Sequence, residues 1–209
     1  MPRSVEHRSA PPSVLLFDLS EVLISGLVGV ERVVAPLIGK PEAQALRELC
    51  GDPLRRLCRG AISEDDYLAA IHAEHGWSLP ADDVKAAIRA NLRRVIPGMP
   101  ELIGALHDRV GLVLVSDHAR EWIGHIETVH PFLSLFPVRI YSFDTGLLKD
   151  EPGAFDRVLR QIGRAADACV FVDDTPRNVA AATEVGLRAV RFEGRDLLVE
   201  SLRGLGLRF

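Results

Sequence analysis

Three apolar runs in this sequence each end in residues that can do chemistry. Val14-Leu15-Leu16-Phe17 delivers Asp18, Val113-Leu114-Val115 delivers Ser116-Asp117, and Val170-Phe171-Val172 delivers Asp173-Asp174. Lys149 comes between the second and the third, at the end of a glycine-bearing loop over 141–148. A carboxylate such as Asp18 can attack an electrophile covalently and split one hard step into two easier ones. It can equally hold a hard cation through oxygen. Ser116 offers a hydroxyl and a backbone N–H at the start of the next helix, a seat for anionic oxygens. Lys149 is one of three lysines, with Lys40 and Lys85, against twenty-two arginines. A lysine so placed can neutralise charge that develops in a transition state. Asp173 and Asp174 repel each other, so a buried strand end holds both at a cost unless a cation offsets them.

Order and spacing then matter more than any one residue. Phe17-Asp18-Leu19-Ser20-Glu21-Val22-Leu23, Leu114-Val115-Ser116-Asp117, Lys149 and Phe171-Val172-Asp173-Asp174 resemble the four motifs of the haloacid dehalogenase-like hydrolases. The likeness spans residues 14–192, and the pattern is similar to bacterial sugar-phosphate phosphatases of that family, whose first motif reads Asp-Leu-Gly-Asn. The resemblance implies Asp18 as nucleophile, with Ser116 and Lys149 as the other catalytic groups. It implies Mg²⁺ held by Asp18, the main-chain carbonyl of Ser20 and Asp174, with Asp173 in the outer shell and Asn178 supporting it. Ser116, Asp117 and Lys149 fall on the substrate side. Asp117 stands where relatives often carry Asn or Gly, and capping the following helix is its alternative role.

Two departures from the family pattern stand out. Most of its phosphatases carry a second Asp where this chain has Ser20. That Asp serves as general acid and then base, which a serine cannot do near neutral pH; losing such a group typically costs about 10²–10⁴ in rate. In extended backbone the Glu21 side chain points the other way, so it does not replace the missing acid. The second departure is Asp150, which follows Lys149 where Pro is usual and is expected to loosen that loop.

The elements that must position these residues are readable as alternating strands and helices. Apolar runs without alternation mark buried strands over 14–18, 112–116, 138–141, 169–173 and 189–192. Helical spacing recurs over 99–108 and 153–162, and Thr175-Pro176 opens a further helix with a capping hydroxyl. Strand alternating with helix predicts an α/β fold, a doubly wound parallel five-stranded sheet. Between the first two strands the pattern is all helix, over 30–38, 41–50, 63–75 and 80–95, with Ser63 and Asp66 at a capped start. Some seventy residues exceed an ordinary crossover, so 27–96 reads as an inserted helical cap. The core is then 14–26 with 97–209, and 1–13 is a flexible leader.

Composition narrows the remaining classes. The chain has 209 residues, 47% of them hydrophobic, enough for one core domain and a modest insertion. A net charge of −4 with dispersed Lys and Arg gives no basic stripe for nucleic acid. No apolar run approaches the roughly 20 residues of a membrane span. Cys50, Cys58 and Cys169 form no Cys-x-x-Cys pair and read as reduced, largely buried thiols of a cytoplasmic protein. His125, Glu127 and His130 match no metal-ligand spacing, and Gly26, Gly29 and Gly39 are not followed by the lysine-serine pair of a phosphate loop.

These readings converge on a Mg²⁺-dependent phosphohydrolase acting on a small phosphorylated metabolite. A 2-haloacid dehalogenase is the alternative, although it needs no metal and no acid pair. A non-catalytic binding protein is the third, because of Ser20. The substrate stays open, as do oligomeric state, a homodimer included, and the role of Arg32, Arg47, Arg55 and Arg56.

Overall fold

The computed structural model describes residues 10–209; residues 1–9 of the expected leader lie outside it. Its centre is one parallel sheet of β1 (Val14–Phe17), β2 (Gly111–Ser116), β3 (Val138–Tyr141), β4 (Cys169–Asp173) and β5 (Arg188–Arg191). Strand order is β3-β2-β1-β4-β5. Side chains of a strand alternate between faces. Leu15 and Phe17 join Leu114 and Val172 in one core, while Val14 and Leu16 join Val113 and Phe171 in the other. Both faces are covered, which is why the inner strands carry no polar alternation. The edge strand β5 is the exception: it begins at Arg188 and is only partly buried.

Register sets the height of the strand ends. Phe17 is level with Leu114 on β2 and with Val172 on β4. Asp18 and Asp173 therefore leave the sheet side by side. From β1 the chain proceeds to β2 on one side, and from β4 to β5 on the other. Adjacent strands whose connections diverge in this way open a crevice beyond their carboxyl ends.

Helices α1 (Glu31–Ile38), α2 (Glu42–Leu49), α3 (Asp52–Cys58), α4 (Glu64–His75) and α5 (Ala81–Leu92) lie between β1 and the first sheet-covering helix, α6 (Met99–His107). Ser63 and Asp66 form a reciprocal capping box at the start of α4, as their spacing predicts. Helix α5 stops at Leu92, short of the expected Val95, because the backbone there pairs with the outgoing chain. The Ser25 N–H donates to the Arg94 carbonyl at 2.7 Å, and Ile96 N–H to Leu23 at 2.9 Å. Helix α3 was not expected: seven residues opening on Asp52-Pro53 are too short to show a period.

The remaining helices are α7 (Arg120–Val129), α8 (Ser142–Thr145), α9 (Ala154–Ile162), α10 (Pro176–Glu184) and α11 (Arg195–Gly204). Helix α10 starts at Pro176 as expected, but the Thr175 hydroxyl makes no cap bond and faces Asp174 at 3.4 Å. Cys58 and Cys169 are buried free thiols; Cys50, just past the end of α2, is exposed instead. Among the described residues no helix is long and apolar enough to cross a membrane.

Candidate active site

Lys149 is the hub of the crevice. Its Nζ lies 2.6 Å from Asp18 Oδ1 and 2.7 Å from Asp173 Oδ2, and all three side chains are almost fully buried. Asp18 is fixed by its place: its N–H continues the β1–β4 ladder to Val172, and its Oδ1 accepts the Leu19 N–H at 2.7 Å. Asp173 has no exposed surface, and its oxygens also accept from Thr175 N–H and the Asn178 amide. Asp174 is half-buried, and its carboxylate accepts a long bond from the Thr175 hydroxyl at 3.4 Å. One carboxylate oxygen each of Asp18, Asp173 and Asp174 lies within 4.8 Å of the others.

Charge in this cluster is out of balance. Burial pushes the Asp18 carboxyl well above the usual range, and Asp173 and Asp174 add to the push against the pull of Lys149. Burial likewise raises Asp174, with Asp173 beside it. Burial alone would strip the proton from Lys149, but Asp18, Asp173 and Asp117 together hold it charged, above its ordinary value. Four carboxylates thus surround one ammonium. A set of hard oxygen donors with surplus negative charge suits a hard divalent cation.

Ser116 ends β2 beside this cluster. Its hydroxyl is buried with no hydrogen-bond partner among the described residues, a group that costs about 1–3 kcal/mol if left unmet. The next helix, expected to begin here, instead begins four residues on at Arg120. Asp117 is accordingly not its cap. Both Asp117 oxygens accept the Lys149 backbone N–H at 3.1 Å, so Asp117 pins the loop that presents the lysine. Burial, opposed by the charge of Lys149, pushes its carboxyl up to about 6.

The turn after Asp18 departs from the extended backbone expected there. Glu21 sits at φ +59°, a left-handed conformation that a non-glycine residue adopts at a cost of roughly 1 kcal/mol or more. Its carboxylate accepts the Gly26 N–H at 2.7 Å and closes the turn. A Cβ on Gly26 would lie 2.9 Å from Ser20 Cβ, so only glycine lets the outgoing chain pass this close to Ser20. No carboxylate occupies position 20 itself.

The model of the haloacid dehalogenase-like hydrolase family matches residues 12–186. The chain belongs to that family. Flavin mononucleotide hydrolase 1 of Arabidopsis thaliana, designated a chloroplast protein, is 26% identical over 196 residues, covering 93% of this chain and 78% of the relative. A predicted family member from Porphyromonas gingivalis superposes with TM-score 0.76 at 20% identity, over 95% of this chain and all of that one. A Bacteroides thetaiotaomicron family enzyme, solved with magnesium and inorganic phosphate, gives 0.68 at 19% identity, over 88% and 95%. At that identity the solved structures speak for the fold alone.

In this member of the family the helices between β1 and α6 reach the lysine loop through residues the sequence did not single out in this role. Arg55 on α3 makes a two-pronged pair with Asp150 at 3.0 Å for each prong, and Arg59 just beyond α3 pairs with Glu151. Arg177 on α10 adds a third contact, to Asp150 at 3.3 Å. Asp150 therefore ties the loop down rather than loosening it, and Arg55 has a carboxylate partner already. Ser142 donates to the Cys58 carbonyl and accepts the His118 N–H, joining α3 to the segment after β2. His125, Glu127 and His130 do not converge: Glu127 pairs with Arg139 and Tyr141, and His130 bonds the Leu92 carbonyl.

Proposed function

We propose that this protein is a Mg²⁺-dependent phosphohydrolase acting on a small phosphorylated metabolite through an aspartyl-phosphate. The observation that carries the reading is Lys149 bridging Asp18 and Asp173 at 2.6 and 2.7 Å, with Asp174 completing a triad of carboxylates within 4.8 Å. The flavin mononucleotide hydrolase among its relatives points the same way. Asp18, Asp174 and the Ser20 carbonyl would hold the metal, with Asp173 behind them, because Asp173 is already saturated by Lys149, Thr175 and Asn178. Bound there, Mg²⁺ offsets the crowded carboxylates and the charge of the phosphoryl group.

The protein's own groups then account for two steps. A carboxylate oxygen of Asp18 attacks phosphorus; the bond to the ester oxygen breaks, and that oxygen leaves with the electron pair. It takes its proton from water, since Ser20 has none to give at neutral pH. Lys149 and the unpartnered Ser116 hydroxyl hold the phosphoryl oxygens, electrostatic work of the kind that contributes several kcal/mol where water is excluded. Water next attacks phosphorus and gives up a proton to solvent; the bond from phosphorus to the Asp18 oxygen breaks, that oxygen keeps the electron pair as carboxylate, and inorganic phosphate departs. Residues 27–96 act as the cap over this edge, supported by the α3 contacts to the lysine loop. A dehalogenase would have no use for the acid pair at Asp173-Asp174, which disfavours that alternative.

The test is phosphate release from a panel of phosphorylated metabolites with and without Mg²⁺, joined to acid-quench trapping of label on Asp18. Metal-dependent release, trapped label and an Asp18→Asn variant below a tenth of wild-type turnover are expected. Release that ignores metal, or a variant that retains its rate, contradicts the proposal.

A further inference from the structure

A cavity of about 240 Å³ opens where the site meets the helices of residues 27–96, and its lining is unusual for a protein that handles anions. Ser20, Asp117 and Asp174 belong to it on the side of the chemistry. Leu27, Val28, Leu54, Cys58, Leu92 and Trp122 supply the apolar wall. Among the described residues no lysine or arginine lines it, whereas Glu21, Asp117 and Asp174 do. The arginines of this region that face the site, Arg55 and Arg59, are paired with Asp150 and Glu151. A second phosphate or a carboxylate on the substrate would meet like charge here, with no side-chain cation to offset it.

Partners for hydroxyl groups are confined to the side of the chemistry, where Ser20, Glu21, Asp117, Asp174 and Thr175 lie, and the apolar wall has almost none. A polyhydroxylated sugar pressed against leucine and tryptophan would leave donors unmet, which is costly. Trp122 is held rigidly, its Nε1–H donated to Glu64 and its ring edge-to-face with His118 and Tyr67. His118 accepts the Ala119 N–H at Nδ1, and burial pushes its imidazole down to about 3. The ring is therefore neutral, with its proton on Nε2, an uncharged donor beside Trp122 on the cavity lining. Size fits a ring as well: an apolar cavity of roughly 150 Å³ is enough for benzene, so this one takes a substituted or fused ring.

We infer that the cavity selects phosphate monoesters whose leaving group is a neutral, largely apolar ring, the phosphoryl group being the substrate's only anion. This rests on the phosphatase reading and narrows it away from sugar phosphates. Calorimetry on Asp18→Asn in Mg²⁺ compares phenyl phosphate, 1-naphthyl phosphate, glucose 6-phosphate and fructose 1,6-bisphosphate, with wild-type turnover of each measured alongside. The ring esters are expected to bind at least tenfold more tightly than glucose 6-phosphate, with the bisphosphate weakest. Val28→Arg, at a half-exposed position on the wall, is expected to shrink the ring-to-bisphosphate ratio at least tenfold. Equal or tighter binding of the sugar esters, or an unchanged ratio in folded Val28→Arg, overturns the inference. If the sugar esters are also turned over, the phosphatase reading survives that result. If none of the four binds and none is hydrolysed, both fall.

Discussion

By its motif resemblance, Ser20 takes the place of a carboxylate that serves as acid and base, and the adjacent Glu21 does not stand in for it. Glu21 is engaged in closing the turn on Gly26, so the leaving oxygen depends on its own stability as an anion or on water. Ser20→Asp is expected to raise turnover on phosphate esters at least tenfold, within the 10²–10⁴ that general acid–base catalysis supplies. The gain should be largest for esters of poor leaving groups, flattening the plot of rate against leaving-group pKa. A Ser20→Asp variant that binds metal and hydrolyses no faster refutes the role assigned to that position. Asp117 allows a second test. Burial lifts its folded-state pKa to about 6, above the ~3.9 of an unfolded chain. Its contribution to stability is then fully present below about pH 4 and is lost as pH rises through 6, by at most about 3 kcal/mol. Asp117→Asn keeps an acceptor for the Lys149 N–H and removes the charge. In metal-free buffer its unfolding midpoint should exceed that of wild type at pH 8 and converge with it below pH 4. A difference independent of pH contradicts this account.

Elements explain which parts of the site were legible in the sequence. Strand ends were, because a buried parallel strand advertises itself as an unbroken apolar run and its next residue reaches the crevice: Asp18, Ser116 and Asp173 all follow this rule. The lysine loop was legible only by resemblance, and its neighbour Asp150 was misread, because its partners Arg55 and Arg177 are about a hundred and about thirty residues away in the chain. No local pattern encodes such pairs. Helix α3 escaped for a different reason, its seven residues completing barely two turns. Yet α3 joins the helices between β1 and α6 to the lysine loop. Arg55→Ala should remove a partly buried, networked pair, an interaction at or above the ~1 kcal/mol of a good exposed one, and lower kcat/KM about fivefold. Added salt should weaken wild type more than the variant, since the pair it screens is already gone. Identical salt profiles in the two proteins would exclude α3 from a part in positioning Lys149.

At the scale of the molecule, the sheet gathers more negative charge at one edge than its side chains neutralise. Asp18, Asp173 and Asp174 converge there, Asp117 lies behind them, and Lys149 is the ammonium among them. A fold that holds four carboxylates so close is expected to gain stability from any divalent cation that binds the native state and not the unfolded chain. At a free concentration a hundred times Kd that gain is about 2.7 kcal/mol. In a domain of this size it corresponds to roughly 5–10 °C in the unfolding midpoint. Mg²⁺ should therefore raise the midpoint of wild type, and the rise should track metal concentration rather than ionic strength. Asp174→Ala should remove most of it, because Asp174 is the half-buried carboxylate with oxygens to spare. Asp173→Ala is the informative contrast: it destabilises the apo protein by stranding Lys149 and Asn178, yet should keep a measurable shift with Mg²⁺. A wild-type midpoint unmoved by Mg²⁺, or equal shifts in wild type and Asp174→Ala, would mean that the acid cluster is held by Lys149 alone.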